Sequence, residues 1–202
     1  MTDGRRARSE RTRSRLVEAA LEIIVREGAA AVTQRKVAAA AGTSLASTTY
    51  HFRTAEDLVV AGFAESARRT REQFEATAAA VLTGKMDLLD AAMDFAARAP
   101  YDADLPSDAI PQLVAGAAHN ERLRAISDEF FAAQAALFAP LTTPPEAAPT
   151  VVRAITGLLM HELARGTTRP TPQLRDDVER LFAAFGIVDR IAELTRSLPG
   201  AE

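Results

Sequence analysis

The sequence predicts an all-α protein of about nine helices, with a small head of three helices containing a helix-turn-helix and a larger helical body behind it. Three observations predict this class. Apolar residues recur at i, i+3, i+4 and i+7 along most of the chain, which is the repeat of one helix face. Nowhere does a strict apolar–polar alternation bounded by turn residues announce a strand. Ser, Thr, Asn, Gly and Pro stand where helices begin and end, cutting the chain into helix-length segments.

Taken in order, residues 1–9 (MTDGRRARS) are polar and Arg-rich and read as a disordered arm. Arg5, Arg6 and Arg8 in it either reach along nucleic-acid phosphates or stay solvated. From about Glu10 to Arg26, Leu16, Ala19, Ala20, Ile23 and Ile24 form a helical stripe that Gly28 stops. Thr33 then suits an N-cap, its hydroxyl accepting an orphan backbone N–H. Val37, Ala38 and Ala41 share one face, and Gly42 follows where a helix end favours a left-handed backbone. Ser44 caps a second short helix over roughly 45–51, and Thr54 caps a third. Two short helices joined by a tight turn make a helix-turn-helix.

The second helix of the pair carries Ser47, Thr48, Thr49, Tyr50 and His51, hydroxyls and an imidazole with little to bury. Polar donors on a short helix suit insertion into a DNA major groove. The candidate DNA contacts are Thr33, Arg35, Ser44, Leu45, Ala46, Ser47, Thr49, Tyr50, His51 and Arg53. Arg35 has the fork for a bidentate contact to guanine or a phosphate. Tyr50 and His51 fit phosphate contact, and Leu45 and Ala46 offer apolar contact to a thymine methyl. Phe52 reads as core.

Thr54 to about Thr83 reads as one long helix, opened by a near capping box of Thr54 and Asp57 and ended by Gly84. Met86 to Ala99 is the next, with Leu88, Leu89, Ala92, Met93 and Phe95 inward, and Pro100 breaks it. YDADLPSD is a loop, after which a helix runs to about His119; Asn120 caps another, to about Phe138. Residues 140–149, with four prolines, read as a flexible or polyproline-like connector. Two strong amphipathic helices close the chain, 150–165 and 172–198, the second capped by Thr171 with Pro172 at its first position. Both are apolar over a wider arc than a one-sided surface helix needs.

The stretch Thr33–Leu58 resembles the TetR family of bacterial transcriptional repressors. Thr33, Arg35, Val37, Ala38, Ala41, Gly42, Ser44, Ser47, Tyr50, His51, Phe52, Glu56 and Leu58 carry the likeness in register. The chain departs from that pattern at Thr43, Leu45, Ala46, Thr48 and Ala55, so an operator sequence does not transfer from relatives. The resemblance implies a domain at 1–53 that binds a double-stranded, palindromic operator and a regulatory and dimerising domain at 54–202. It further implies a homodimer joined through the two last helices, and a body that releases DNA when a small-molecule inducer binds. Phe63, Met93, Phe95, His119, Phe130, Phe131, Met160 and His161 are the candidate pocket residues, a mostly apolar set with two imidazoles as polar handles.

Charge and composition agree with that division. Residues 1–53 hold ten Lys/Arg against five Asp/Glu, a net of +5, while the whole chain is −3, leaving −8 for residues 54–202. A basic head on an acidic body is the electrostatic footprint of a small DNA-contacting domain. Hydrophobic content of 48% is ample for a core. The absence of cysteine excludes disulfides and thiolate metal sites and points to the cytoplasm. No apolar run approaches a membrane span and no secretion signal follows the N-terminal arginines. No metal or cofactor is expected, because His161 and Glu162 lack a partner at ligand spacing. Nor is catalysis: there is no G-x-S-x-G, Gly-rich phosphate loop or paired-His zinc site. Two other readings remain: a helical ligand-binding protein that has lost specific DNA recognition, and a helical enzyme acting on a small hydrophobic substrate.

Overall fold

A computed structural model of the chain describes residues 3–98, 109–166 and 170–197. Ten α-helices account for most of them: α1 (Asp3–Glu27), α2 (Gln34–Ala40), α3 (Leu45–His51), α4 (Ala55–Leu82), α5 (Leu88–Arg98), α6 (Ala109–Ala117), α7 (Glu121–Phe138), α8 (Ala148–Ala164), α9 (Pro172–Ala184) and α10 (Ile187–Arg196). Among the described residues there is no strand. The expected loop at 101–108 lies outside them.

The chain divides into two compact units, Met1–Arg68 with Pro106–Ser127, and Arg69–Leu105 with Asp128–Glu202. The first therefore holds the whole of 1–53 together with the start of α4, α6 and the start of α7. Its core is built from the apolar stripe of α1, with Leu16, Ala20 and Ile24 fully buried against Val37, Leu58, Phe63 and Leu113. Each of these side chains other than Ala20 contributes about 1.5–3 kcal/mol through removal from water.

Polar clamps fix this unit across long stretches of sequence. Gln112 on α6 donates from Nε2 to the Ile24 carbonyl at 2.9 Å and accepts at Oε1 from the Ala29 N–H at 3.1 Å. One amide thus satisfies the Ala29 N–H beyond the end of α1 and adds a second bond to the Ile24 carbonyl, which also accepts from the Gly28 N–H. Asn120 accepts at Oδ1 from the Arg122 and Leu123 N–H groups, capping α7, and donates from Nδ2 to Glu56 at 2.9 Å. Arg122 donates to Asp57 Oδ1 at 2.8 Å. Asp57 in turn completes the capping box of α4: Thr54 N–H donates to Asp57 Oδ2, and Asp57 N–H donates to Thr54 Oγ1, both at 3.0 Å. The Arg122 hydrogen bond, followed by that of Thr54, holds the Asp57 carboxyl below the usual aspartate value of 3.8.

In the second unit α9 packs against α8, α10 and α5. Val151, Leu174, Val178, Phe182 and Ile187 are buried together with Ala96 and Leu141. Thr171 caps α9, its hydroxyl accepting from the Leu174 N–H at 3.1 Å.

Four expectations are corrected. The basic arm is helical from Asp3, not disordered to residue 9, because Arg and Ala sustain the helix and Arg6 pairs with Glu10 one turn on. Met86 lies outside α5, which begins at Leu88, since Asp87 Oδ1 accepts from the Leu89 and Asp90 N–H groups and acts as the cap. The stretch 140–149 is ordered: Leu141 and Thr142 are buried, and the Thr143 N–H donates to the Phe185 carbonyl at 2.8 Å. The last helix is two, broken at Gly186, whose φ of 67° is a left-handed conformation that only glycine adopts cheaply.

Candidate nucleic-acid interface and apolar cavity

The helix-turn-helix is held by three local devices. Thr33 Oγ1 accepts from the Lys36 N–H at 3.2 Å and starts α2. At its end Gly42 takes φ 59°, the Thr43 N–H reaches the Ala38 carbonyl at 2.9 Å and the Gly42 N–H reaches Ala39 at 3.1 Å. That pair of bonds is a Schellman motif, and it turns the chain sharply into α3. Ser44 then caps α3, accepting from the Ser47 N–H at 3.1 Å.

Longer-range contacts lock the two helices to their neighbours. Arg15 on α1 donates to the Ala41 carbonyl at the turn. Gln34 Nε2 donates to the Phe52 carbonyl at 2.9 Å, tying the start of α2 to the end of α3. Arg13 lies over the Phe52 ring at 5.3 Å, a cation–π contact. Lys36 pairs with Glu27.

These constraints decide which side of α3 faces water. Thr48 and Phe52 are buried, and Thr48 Oγ1 donates back to the Ser44 carbonyl at 3.1 Å. Ser44, Leu45, Ala46, Thr49, Tyr50 and Arg53 are exposed, Ser47 and His51 half-buried. Thr33 and Arg35 on the preceding helix are exposed as well. All ten candidate DNA contacts therefore have accessible surface. Tyr50 is 79% exposed, which for a large aromatic is a cost unless a partner covers it. Its ring stands edge-on to His51 at 5.1 Å. Thr49 donates its hydroxyl hydrogen to the Leu45 and Ala46 carbonyls, leaving it an acceptor and a methyl to present outward. Among the described residues neither Arg35 nor Arg53 is in an ion pair. The face combines donors, acceptors, methyls and unpaired guanidinium groups, the set that phosphate and base-edge contact uses. Thr48, counted in the sequence among hydroxyls with little to bury, is instead fully buried behind the face, and Arg15 and Gln34, which hold it in shape, carry no periodic signal that would mark them in the sequence.

The second unit contains an apolar cavity of about 90 Å³. Phe74, Val81 and Leu82 of α4, Leu88, Met93 and Phe95 of α5, Phe138 of α7, Ile155 and Leu159 of α8, and Val178 and Phe182 of α9 line it, and Thr77 is the sole polar residue of the lining. Of the candidate pocket residues, Met93 and Phe95 stand in this wall. Phe63 is in the core of the first unit, and His119 is exposed there. Phe130, Phe131, Met160 and His161 belong to the second unit outside the lining, Phe130 and Phe131 packing edge to face at 5.3 Å. Phe74, Phe138 and Phe182 are lined up by tertiary packing; nothing in their spacing separates cavity wall from filled core.

Among the described residues no group of three or more His, Asp or Glu could hold a metal ion, and no helix is long and apolar enough to cross a membrane.

Comparison with known proteins follows the same division. Residues 16–61 match the family model of bacterial regulatory proteins of the tetR family, and residues 108–185 match a tetracyclin repressor-like C-terminal domain. No curated protein sequence matches the chain. Among solved structures, the multidrug binding protein EbrR complexed with imidazole is 27% identical, covering 84% of this chain and 93% of its own at a TM-score of 0.69. EbrR complexed with ethidium is 26% identical with a TM-score of 0.69, over 84% of this chain and 97% of its own. A TetR-family member from Streptomyces coelicolor A3, SCO1917, is 26% identical with a TM-score of 0.70, over 84% of this chain and 97% of its own. A helix-turn-helix of this build, matched family models at both ends and solved relatives over most of the length place the chain in the TetR family of bacterial transcriptional regulators.

Proposed function

We propose that the protein is a ligand-responsive repressor that binds a palindromic operator as a homodimer, with α2 and α3 as its reading head. The observation that carries this reading is the outward face of α3. It is fixed from behind by buried Thr48 and Phe52, and it presents Tyr50 with few protein contacts of its own. Arg35 and Arg53 supply phosphate or guanine contacts, Tyr50 and His51 contact the backbone, and Leu45 and Ala46 meet thymine methyls. Division of the chain at about residue 53 into reader and body remains part of the same proposal.

For the homodimer, support comes from α8. Its Leu163 is 37% exposed, Leu158 and Met160 are half-buried, and a Cβ added at Gly157 would meet nothing within 4 Å. Apolar surface with an open small-residue position suits packing against the same helix of a second copy, with α9 and α10 completing the interface. For the response to ligand, support comes from the apolar cavity and from the small-molecule complexes of EbrR. Induction would be a population shift: ligand binds a state of the body in which the two heads no longer match successive major grooves about 34 Å apart.

The test is selection of duplexes from a random pool by the full-length protein, with sedimentation to count protomers. Enrichment of an inverted repeat bound by two copies is the expected result. Failure to enrich any sequence would instead favour a ligand-binding protein that has lost DNA recognition, for which Leu45, Ala46 and Ala55 are the sequence support.

A further inference from the structure

We propose that the cavity of the second unit takes a neutral, apolar small molecule and rejects cations. This rests on the ligand-responsive reading above and specifies the chemistry of the ligand.

The argument is the composition of the wall. A buried charge is tolerated only where a counter-charge or a set of hydrogen bonds replaces its water. The cavity offers neither. No charged residue stands in its lining, and Thr77 is its only polar member. One turn past Leu159, Glu162 is buried on α8, yet it stands outside the lining and has a partner of its own. Cation–π attraction is the remaining means of holding a positive charge. Phe74 and Phe95, however, pack on one another with ring centroids 4.3 Å apart, and Phe138 and Phe182 pair at 6.2 Å. These rings already spend part of their surface on each other, and no carboxylate stands in the lining beside them to reinforce a cation–π contact. Thr70, one turn before Phe74, is buried with no hydrogen-bond partner among the described residues but like Glu162 stands outside the lining, so the wall itself holds only the neutral hydroxyl of Thr77. A lone hydroxyl suits an uncharged ligand with a single oxygen function and gives a cation no counter-charge.

Size points the same way. An apolar cavity of about 90 Å³ walled by Phe, Leu, Ile and Val accepts a hydrocarbon group, and its half-buried walls at Phe74, Ala92 and Phe95 let the rest of a larger ligand extend outward. Larger ligands enter by rearrangement of Met93, the most adaptable side chain of the wall.

A pair of isosteres tests this directly: tert-butylbenzene and the phenyltrimethylammonium ion share a shape and differ in charge. Binding of each to the full-length protein is measured by calorimetry and by the shift of the unfolding midpoint, and repeated on Ala92→Leu and Ala78→Leu, which narrow the cavity from two different helices. The expected result is at least about 100-fold tighter binding of the neutral compound, lost by at least tenfold in a filled variant that still unfolds cooperatively. Equal or tighter binding of the cation, with the same sensitivity to filling, overturns the assigned chemistry and leaves the ligand site standing. Binding of neither compound, or of both without sensitivity to either substitution, overturns the site itself. Release of a selected duplex on adding tert-butylbenzene supports the regulatory reading. Binding without release supports the cavity's chemistry and overturns induction through it.

Discussion

The two units solve the packing problem differently. The first fills its core with Leu16, Ile24, Val37, Leu58, Phe63 and Leu113, and then pins its helix ends with directional bonds from Arg15, Gln34, Gln112, Asn120 and Arg122. Its polar groups face out on α3. The second keeps a cavity among four phenylalanines and a methionine with almost nothing polar in the wall. A reading head needs its donors held within a fraction of an ångström, and hydrogen bonds with fixed geometry supply that. A ligand-responsive body needs slack that a guest can take up, and apolar packing is non-directional enough to allow it. The difference teaches where each kind of substitution should register.

The largest effect is expected in the filled core. Ile24→Ala removes a fully buried side chain from α1 and should cost about 2–5 kcal/mol in denaturant unfolding. A loss comparable to that of an exposed site would mean the first unit is not the tightly packed one. Next come the contacts of the head. Arg35→Ala and Tyr50→Ala should each weaken binding to a selected duplex by about 1–3 kcal/mol while leaving stability within about 0.5 kcal/mol of the parent. Parallel loss of stability in these variants would assign the residues to the fold instead of to DNA.

The cavity should behave in the opposite sense. Ala92→Leu adds apolar side chain to a half-buried position in the wall, so it should raise stability by up to about 2 kcal/mol where the new side chain fits. A destabilised Ala92→Leu protein would show that the space is already needed by its walls. The smallest effect concerns Asp57. Its carboxyl is held below the ordinary 3.8, chiefly by Arg122 and then by Thr54. Its contribution is therefore fully present above that value and lost as pH falls through the lower folded-state value. Asp57→Asn should cost about 0.5–1 kcal/mol near neutrality, and the difference from the parent should vanish in acid when both are unfolded by denaturant across that range. A gap that persists below the carboxylate range would exclude charge as its origin.

What could be read from the sequence was local. Thr33, Gly42, Ser44, Thr54, Asn120 and Thr171 act within about one helical turn, so their roles follow from spacing alone. The helical periodicity of α1, α4, α8 and α9 was legible for the same reason. What could not be read was set by distant partners. Gln112 meets Ile24 and Ala29, and Arg122 meets Asp57, across long stretches of chain without any pattern to mark them. Prolines at 140–149 suggested looseness, yet the segment is held by burial of Leu141 and by the Thr143–Phe185 bond. Gly186 did carry a signal, a glycine inside a long helical pattern, and it marks the break between α9 and α10. Among the candidate pocket residues, Met93 and Phe95 line the cavity while Phe63 sits in the other core. Aromatic composition cannot distinguish a wall from a filled interior, because both satisfy the same hydrophobic pattern.

The most direct measurement is amide hydrogen exchange of the full-length protein with and without a selected duplex. Protection on DNA binding should concentrate at residues 33–53, strongest along α3, with α5, α8 and α9 little changed at their surfaces. Protection centred on α5, α8 or α9, with α3 exchanging as in the free protein, would contradict the assignment of the helix-turn-helix as the reading head.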